Sequence, residues 1–188
     1  MEHPKRSREE YALVLDFLQN GYAFDKRPSH VKTAIVQALG KSRFTLLELV
    51  PKKEVHVQPH EIVYIGDGKR DKIHHIIGRL PAERLTNTAQ KELEYAIDDI
   101  IKEREQEFVG FYNKAQPLST RMHQLELLPG VGKKHMGEIL EAKRDGDFQS
   151  FEDIRKRVKL VPDPRKLIIR RIINEVMGKE KHRLFADA

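Results

Sequence analysis

The stretch from Leu125 to Leu140, LELLPGVGKKHMGEIL, joins two helical patterns through a turn followed by two lysines. Glycine reaches backbone angles that a side chain forbids, so P-G-V-G predicts a tight reversal of the chain. The helix predicted to begin at Lys133 has first N–H groups without a partner inside the helix. These groups and the helix dipole attract an anion. The predicted ligands of a phosphate are the amides of Gly130, Val131 and Gly132 and the side chains of Lys133 and Lys134.

The turn also fits two other interpretations. The turn can simply connect two packed helices, with Val131 filling the space between them. A phosphate-binding loop of the nucleotide-hydrolase type requires G-x-x-x-x-G-K-[ST] after a strand. Here Lys134 is followed by His135, and the preceding segment is helical in pattern, so this second alternative is disfavoured.

A degenerate copy of the turn follows in the sequence Leu160 to Pro164, LVPDP, between a basic helix predicted over 154–158 and a final helix over 165–177. The copy lacks both glycines, Pro164 has no N–H to donate, and the Asp163 carboxylate would repel phosphate. We expect it to pack against the first turn. Its cations are expected to touch a nucleic-acid backbone through charge alone: Arg155, Arg157, Lys159, Arg165 and Lys166.

The first 81 residues are predicted to form a different kind of domain. Short apolar runs at 11–18, 32–39, 44–50, 61–65 and 72–80, separated by turn residues, indicate five strands. A small antiparallel barrel of the OB type is the economical way to hide their edges. Basic loops would extend a contact with nucleic acid through Lys52, Lys53, Lys69 and Arg70, and four aromatic residues are candidate stacking platforms: Tyr11, Phe17, Phe44 and Tyr64.

The rest of the chain reads as helical, which makes the predicted fold class α+β. A helix over 89–112, acidic on its outer face, is expected to connect the barrel (1–81) to a tandem hairpin domain (117–188), with 82–116 as the connector. The polar residues 1–10 predict a mobile terminus. The net charge of +6 is unevenly divided, with excesses of +4 in 1–81, −3 in 82–116 and +5 in 117–188. Two basic ends suit a polyanionic partner.

At the turn, the chain resembles the helix-hairpin-helix family of sequence-independent nucleic-acid-binding motifs, in which a leucine-rich helix, a Pro-Gly-hydrophobic-Gly hairpin and a basic helix follow one another. Met136 departs from the small residue usual there. The resemblance implies that Gly130, Val131 and Gly132 offer amides to a phosphate flanked by Lys133 and Lys134. Over nearly its whole length the chain resembles the archaeal family DUF655, on the phrases FTLLELVPK, VYIGDGKRDKI and LELLPGVGKKHMGEILEAK. That family implies nucleic-acid binding and no particular reaction.

No constellation of catalytic groups stands out, so we expect a non-enzymatic, largely sequence-independent binder of DNA or RNA without cofactor or metal. The chain has no cysteine, which removes thiolate chemistry and cysteine zinc sites. No apolar run approaches the ~18 residues of a membrane span, so the expected protein is cytoplasmic. The oligomeric state is left open. The alternative function is a protein-interaction scaffold whose basic charge is incidental.

Overall fold

The computed structural model describes residues 8–187 and has an α+β architecture. Contacts along the chain group these residues into two units. The first unit contains the described residues up to Ala96 together with those from Glu175 onward, and the second unit is Ile97–Asn174. Most of the predicted mobile terminus lies outside the described residues.

Five strands in the first unit form one antiparallel sheet: β1 (Tyr11–Leu18), β2 (Ile35–Gly40), β3 (Leu46–Pro51), β4 (Ile62–Tyr64) and β5 (Ile73–Arg79). Their order across the sheet is β4-β1-β2-β3-β5, so β4 and β5 are its outer strands. The five predicted strands are confirmed, with ends displaced by a few residues at most. The core of the unit includes buried apolar residues from every strand, for example Val14, Val36, Leu49, Val63 and Ile73.

Both faces of β3 are covered. All six residues of the strand are buried, including Glu48, which is 8% exposed. A buried carboxylate needs a partner, and the Tyr22 hydroxyl donates to Glu48 over 2.6 Å. Gln37, opposite Glu48 on β2, donates to Tyr22 over 3.2 Å and to the carbonyl of Arg84 over 2.9 Å.

The chain is already ordered at Glu9, in contrast to the predicted mobile terminus. Glu9 is buried, and its carboxylate accepts the backbone N–H groups of Ser42 and Arg43, each over 2.8 Å. A side chain at Gly40 would collide with this carboxylate at 2.2 Å. The Glu9 carboxylate therefore caps the turn between β2 and β3, where only glycine fits beneath it.

Five α-helices follow: α1 (Asn87–Glu103), α2 (Glu105–Lys114), α3 (Lys133–Lys143), α4 (Phe151–Arg157) and α5 (Pro164–Val176). Short 3-10 helices lie at Ser29–Val31, Ala82–Arg84 and Gln124–Leu127. The prediction of a single helix over 89–112 is wrong. The helix is interrupted at Arg104, which has φ −116° and ψ 30°. The interruption places the Glu105 carboxylate 2.9 Å from the backbone nitrogen of Phe151, where it accepts the first N–H of α4.

The leucine-rich helix expected before the first turn is reduced to the 3-10 helix Gln124–Leu127. Residues 117 and 123 form an antiparallel bridge, which commits that segment to a loop and leaves too little chain for an α-helix. None of the helices within residues 8–187 has the length and apolar character needed to span a membrane.

Candidate nucleic-acid interface

The first turn has the sharp reversal that its glycines predict. Gly130 has φ +85°, a left-handed conformation that favours glycine. Val131 is 6% exposed, as expected for a residue that fills the space within the hairpin. Its N–H donates to the carbonyl of Leu128 over 3.1 Å. The predicted phosphate donor at Val131 is therefore already bonded within the turn.

Gly132 serves a different purpose from Gly130. Its φ of −97° and ψ of −176° are extended angles that any residue adopts, and a Cβ placed there would meet no atom within 4 Å. Neither backbone strain nor packing requires glycine at this position. The absence of a side chain leaves the backbone beside the helix N-terminus open to solvent. The N–H of Gly132 donates to Nδ1 of the His135 ring over 3.3 Å.

The N-terminus of α3 provides the donors that remain. Within the described part of the chain, no acceptor lies within hydrogen-bonding distance of the backbone N–H groups of Lys133, Lys134 and His135. The first N–H that turns back into the helix is that of Met136, which donates to Gly132 over 2.9 Å. Both lysine side chains are exposed. Of the three amides predicted as phosphate ligands, that of Gly130 has no acceptor among the described residues. The N–H groups of the first three helical residues, which any α-helix leaves unpaired, join it.

Buried contacts hold the segment that leads into the turn. His123 caps the 3-10 helix, since its Nδ1 accepts the N–H of Leu125 over 3.1 Å. Glu126 returns the contact by accepting the N–H of His123 over 2.8 Å. Burial lowers the pKa of His123, which keeps the ring neutral and its Nδ1 free to accept. Arg171 of α5, itself 2% exposed, donates to the carbonyl of Leu127 over 2.8 Å. These contacts hold the segment before the first turn in a fixed conformation.

At the second turn, a carboxylate of the protein itself occupies the helix N-terminus. The Asp163 carboxylate accepts the N–H of Arg165 over 3.0 Å and that of Lys166 over 3.3 Å. It occupies the N-terminus of α5, where a phosphate would otherwise bind. Tyr112 fixes the same turn, because its buried hydroxyl donates to the carbonyl of Pro164 over 2.7 Å and burial raises its pKa. The second hairpin therefore differs from the first, because a carboxylate of the protein already occupies its anion site.

Three of the five cations predicted around the second turn are engaged within the second unit. Arg155 lies 3.1 Å from Asp163, and Arg165 lies 3.2 Å from Asp98. Arg157 pairs with Asp153 over 3.2 Å and stacks on the Phe148 ring at 4.5 Å. Lys159 and Lys166 are exposed and form no ion pair with any described residue. Of the five predicted cations, these two lysines are the ones whose side chains the described residues leave uncommitted.

In the first unit, the structure brings together the two basic loops that were predicted. The Lys52 ammonium donates to the carbonyl of Arg70, and the Arg70 guanidinium donates to the carbonyl of Gly66 over 2.8 Å. Lys53 and Lys69 are exposed on the same loops. Lys52 and Arg70 therefore join the loops, while Lys53 and Lys69 remain available to a ligand.

Of the four aromatic candidates, Phe44 is too enclosed to serve as a stacking platform, and Phe17 is half-buried. Phe44 is 1% exposed, and Phe17 packs against the core of the sheet. Tyr11 is 47% exposed, and its ring lies edge-on to that of Tyr64 with centroids 5.3 Å apart. The register of β1 and β4 brings the two rings together, because residues 11 and 64 lie opposite each other on these strands.

Comparison with known proteins identifies the family of the chain. A model for the family described as "Protein of unknown function (DUF655)" matches residues 8–187. The chain belongs to the DUF655 family. It is 41% identical over 191 residues to "Uncharacterized protein MJ0038" of Methanocaldococcus jannaschii, covering 98% of this chain and 85% of that protein. It is also similar to the crystal structure of Af1531, a DUF655 protein from Archaeoglobus fulgidus, at 47% identity and a TM-score of 0.90, covering 95% of this chain and 100% of that one.

The fold of this DUF655 protein therefore recurs in Af1531 of Archaeoglobus fulgidus. Among residues 8–187, no three histidine, aspartate or glutamate side chains converge in a way that could hold a metal ion. The features that could bind a ligand are the first turn in the second unit and the basic loops and tyrosine pair in the first.

Proposed function

We propose that this DUF655 protein is a non-enzymatic nucleic-acid-binding protein that contacts the phosphate backbone largely independently of sequence. The proposed contact is the first turn, where the amides of Lys133, Lys134 and His135 face an anion flanked by two ammonium groups. Such donors suit a phosphate oxygen, because the amides are fixed in direction and the lysines add full charge. A phosphate is common to every nucleotide, so this contact carries no sequence preference.

The observation that carries the proposal is the difference between the two turns. At the second turn, Asp163 fills the helix N-terminus with a carboxylate over 3.0 and 3.3 Å. At the first turn, the corresponding amides have no acceptor among the described residues, and the adjoining glycine at 132 is demanded by neither φ nor packing. A turn that only connected helices would not need this opening.

We interpret the two turns as a paired helix-hairpin-helix and the sheet of the first unit as an OB-like barrel. The first interpretation is supported by the matching order of turn and helix, with α3 after the first turn and α5 after the second. The second is supported by the sheet order, in which β1 pairs with both β2 and β4 while β3 pairs with β5. A cytoplasmic location remains a prediction from the sequence.

Further contacts are proposed for the cations that the structure leaves uncommitted. These are Lys53 and Lys69 in the first unit and Lys159 and Lys166 at the second turn. Lys52, Arg70, Arg155, Arg157 and Arg165 contribute to the surrounding potential, but their side chains are partly used in holding loops and helices in place.

The test is binding of a fluorescent duplex DNA and a matched duplex RNA to the full chain, measured by anisotropy across a range of salt concentrations. If ~3–5 phosphates are neutralised on duplex DNA, the logarithm of the affinity falls with that of the salt concentration at a slope of about −0.9 per contact. The double variant Lys133→Glu and Lys134→Glu is expected to lose at least about tenfold in affinity.

The matched control is the double variant Lys91→Glu and Lys114→Glu, which makes the same change in net charge at two exposed lysines outside residues 125–140. Equal losses in the two double variants would show that only net charge matters and would overturn the site. A salt-insensitive complex with a protein, together with no binding of either duplex, would favour the scaffold alternative.

A further inference from the structure

The first unit contains an open cleft of about 1320 Å³ that the proposed hairpin contact does not use. Residues of both outer strands line it, with Tyr64 on β4 and Ile76 and Arg79 on β5. Leu47 of β3 lies opposite Arg79 in register and contributes to the apolar wall. The lining also carries four arginines and four carboxylates: Arg8, Arg43, Arg70 and Arg79, and Glu9, Glu10, Asp67 and Asp187.

The size of the cleft admits an elongated ligand. Small-molecule pockets usually measure about 300–1,000 Å³, and this cleft is larger. An elongated ligand made of several linked units fills such a space better than one compact molecule. Alternating apolar and anionic parts in that ligand would match the apolar wall and the arginines.

A tyrosine ring is held rigidly in the cleft wall. A Cβ at Gly66 would lie 2.4 Å from the Tyr64 hydroxyl, and one at Gly68 would lie 2.9 Å from it. The N–H of Gly68 donates to the same hydroxyl over 3.1 Å. The two glycines thus make room for the Tyr64 ring, and the exposed ring of Tyr11 stands beside it at 5.3 Å. Fixed aromatic rings are surfaces on which unpaired bases stack.

Three of the four arginines in the lining are already engaged within the protein. Arg8 lies 3.6 Å from Asp67, Arg70 donates to the carbonyl of Gly66, and the third is Arg43. Asp187 lines the cleft, and its carboxylate lies 2.7 Å from the Arg43 guanidinium. The backbone N–H of Asp187 donates to the carbonyl of Arg43 over 2.9 Å. Buried Glu175 fixes the preceding segment by accepting N–H groups over 2.8 to 2.9 Å from Leu184, Phe185 and Ala186.

The fourth arginine of the lining is uncommitted. Arg79 is exposed, and no carboxylate of the described chain pairs with it. An anion entering the cleft would meet Arg79 directly but would have to compete with Asp187 for Arg43. The cleft therefore offers one open cationic position, at Arg79, among three arginines that other described residues already engage.

From these observations we infer that the cleft binds a single-stranded nucleic acid. Bases pack against Tyr64 and Ile76, and phosphates contact Arg79 and, in competition with Asp187, Arg43. A duplex is excluded because its bases are stacked inside the helix and cannot reach the cleft wall. This inference goes beyond the proposed backbone contact of the hairpin and does not require it.

The test uses the full chain with labelled oligo-uridine and oligo-thymidine of about ten nucleotides, a length within the site sizes of single-strand-binding domains, and with a duplex DNA. Arg79→Glu is expected to lower single-strand affinity by about tenfold and to leave duplex affinity within about twofold. Asp187→Asn is expected to raise single-strand affinity by roughly threefold, because a modest ion pair no longer competes for Arg43. The control is Glu83→Gln, an equal charge change at an exposed position outside the cleft lining.

The outcomes separate this inference from the hairpin proposal. If Arg79→Glu weakens both probes equally or neither, or if Asp187→Asn changes affinity no more than Glu83→Gln, the cleft is not the site. If the double variant at 133 and 134 keeps its duplex affinity while Arg79→Glu loses single-strand affinity, the hairpin proposal fails and the cleft stands. Comparing oligo-uridine with oligo-thymidine then shows whether the cleft takes RNA, DNA or both.

Discussion

The Asp163 carboxylate accepts the backbone N–H of Arg165 over 3.0 Å and so occupies the start of α5 with an anion that belongs to the protein. The same carboxylate lies 3.1 Å from Arg155. Together these contacts give a physical reason why the second turn differs from the first. The helix N-terminus that follows the second turn is satisfied before any ligand arrives.

Emptying the second turn should increase binding. Asp163→Gly removes the carboxylate, and glycine at a helix N-cap costs only a few tenths of a kcal/mol. We expect duplex affinity to rise about two- to fivefold, which corresponds to the usual strength of an anion at a helix N-terminus. Asp163→Asn is the matched variant, because its amide oxygen still caps the helix while the negative charge is lost. If Asp163→Asn gains as much duplex affinity as Asp163→Gly, charge repulsion alone distinguishes the two turns, and occupancy of the amides by a side chain does not.

The two glycines of the first turn should respond differently to alanine. Gly130→Ala forces a side chain into φ +85°, and we expect a loss of about 1–2 kcal/mol in the free energy of unfolding. Gly132→Ala meets open space at an ordinary backbone conformation, so its stability should stay within about 0.5 kcal/mol of the parent. Urea denaturation measures both. Duplex affinity should nevertheless fall in Gly132→Ala, and an unchanged affinity would contradict close approach of the backbone to a phosphate.

His123 should make stability depend on pH. Burial lowers its pKa in the folded state, so the unfolded chain, with a pKa of about 6.5, takes up the proton first as the pH falls. The contribution of neutral His123 is complete above about pH 6.5 and is lost as the pH falls through the folded pKa. His123→Asn keeps a side-chain acceptor for the N–H of Leu125 without titrating. The difference in urea midpoint between parent and variant should therefore change between about pH 7.5 and pH 5, and a constant difference would refute the linkage.

The buried contact of Tyr22 with Glu48 should be important for the first unit. Burial and the hydrogen bond to Glu48 raise the pKa of Tyr22 to about 12, so the hydroxyl stays a donor at any physiological pH. Tyr22→Phe leaves the Glu48 carboxylate without this donor, and we expect a loss of about 1–3 kcal/mol in the free energy of unfolding. Tyr95→Phe, at a position 64% exposed, is the control and should have little effect. Equal stability of the two variants in chemical denaturation would contradict this role.

The sequence by itself determined the strands, the two turns and the basic character of the first turn. Alternation of apolar residues and the positions of glycine and proline are local signals, so 11–18 was predicted as a strand and observed as Tyr11–Leu18. The same locality made residues 130–134 recognisable as a turn that opens a helix. These features need only neighbours in the chain.

Tertiary structure decided which groups are free and which are used. The interruption after α1 places Glu105 at the N–H of Phe151, 46 residues away, and Asp187 reaches Arg43 across 144 residues. Burial of both faces of β3 and the commitment of Arg157 likewise depend on segments distant in sequence. A pattern of residue types indicates which side chains can bind an anion. Only the folded chain determines whether another part of the protein already engages those side chains.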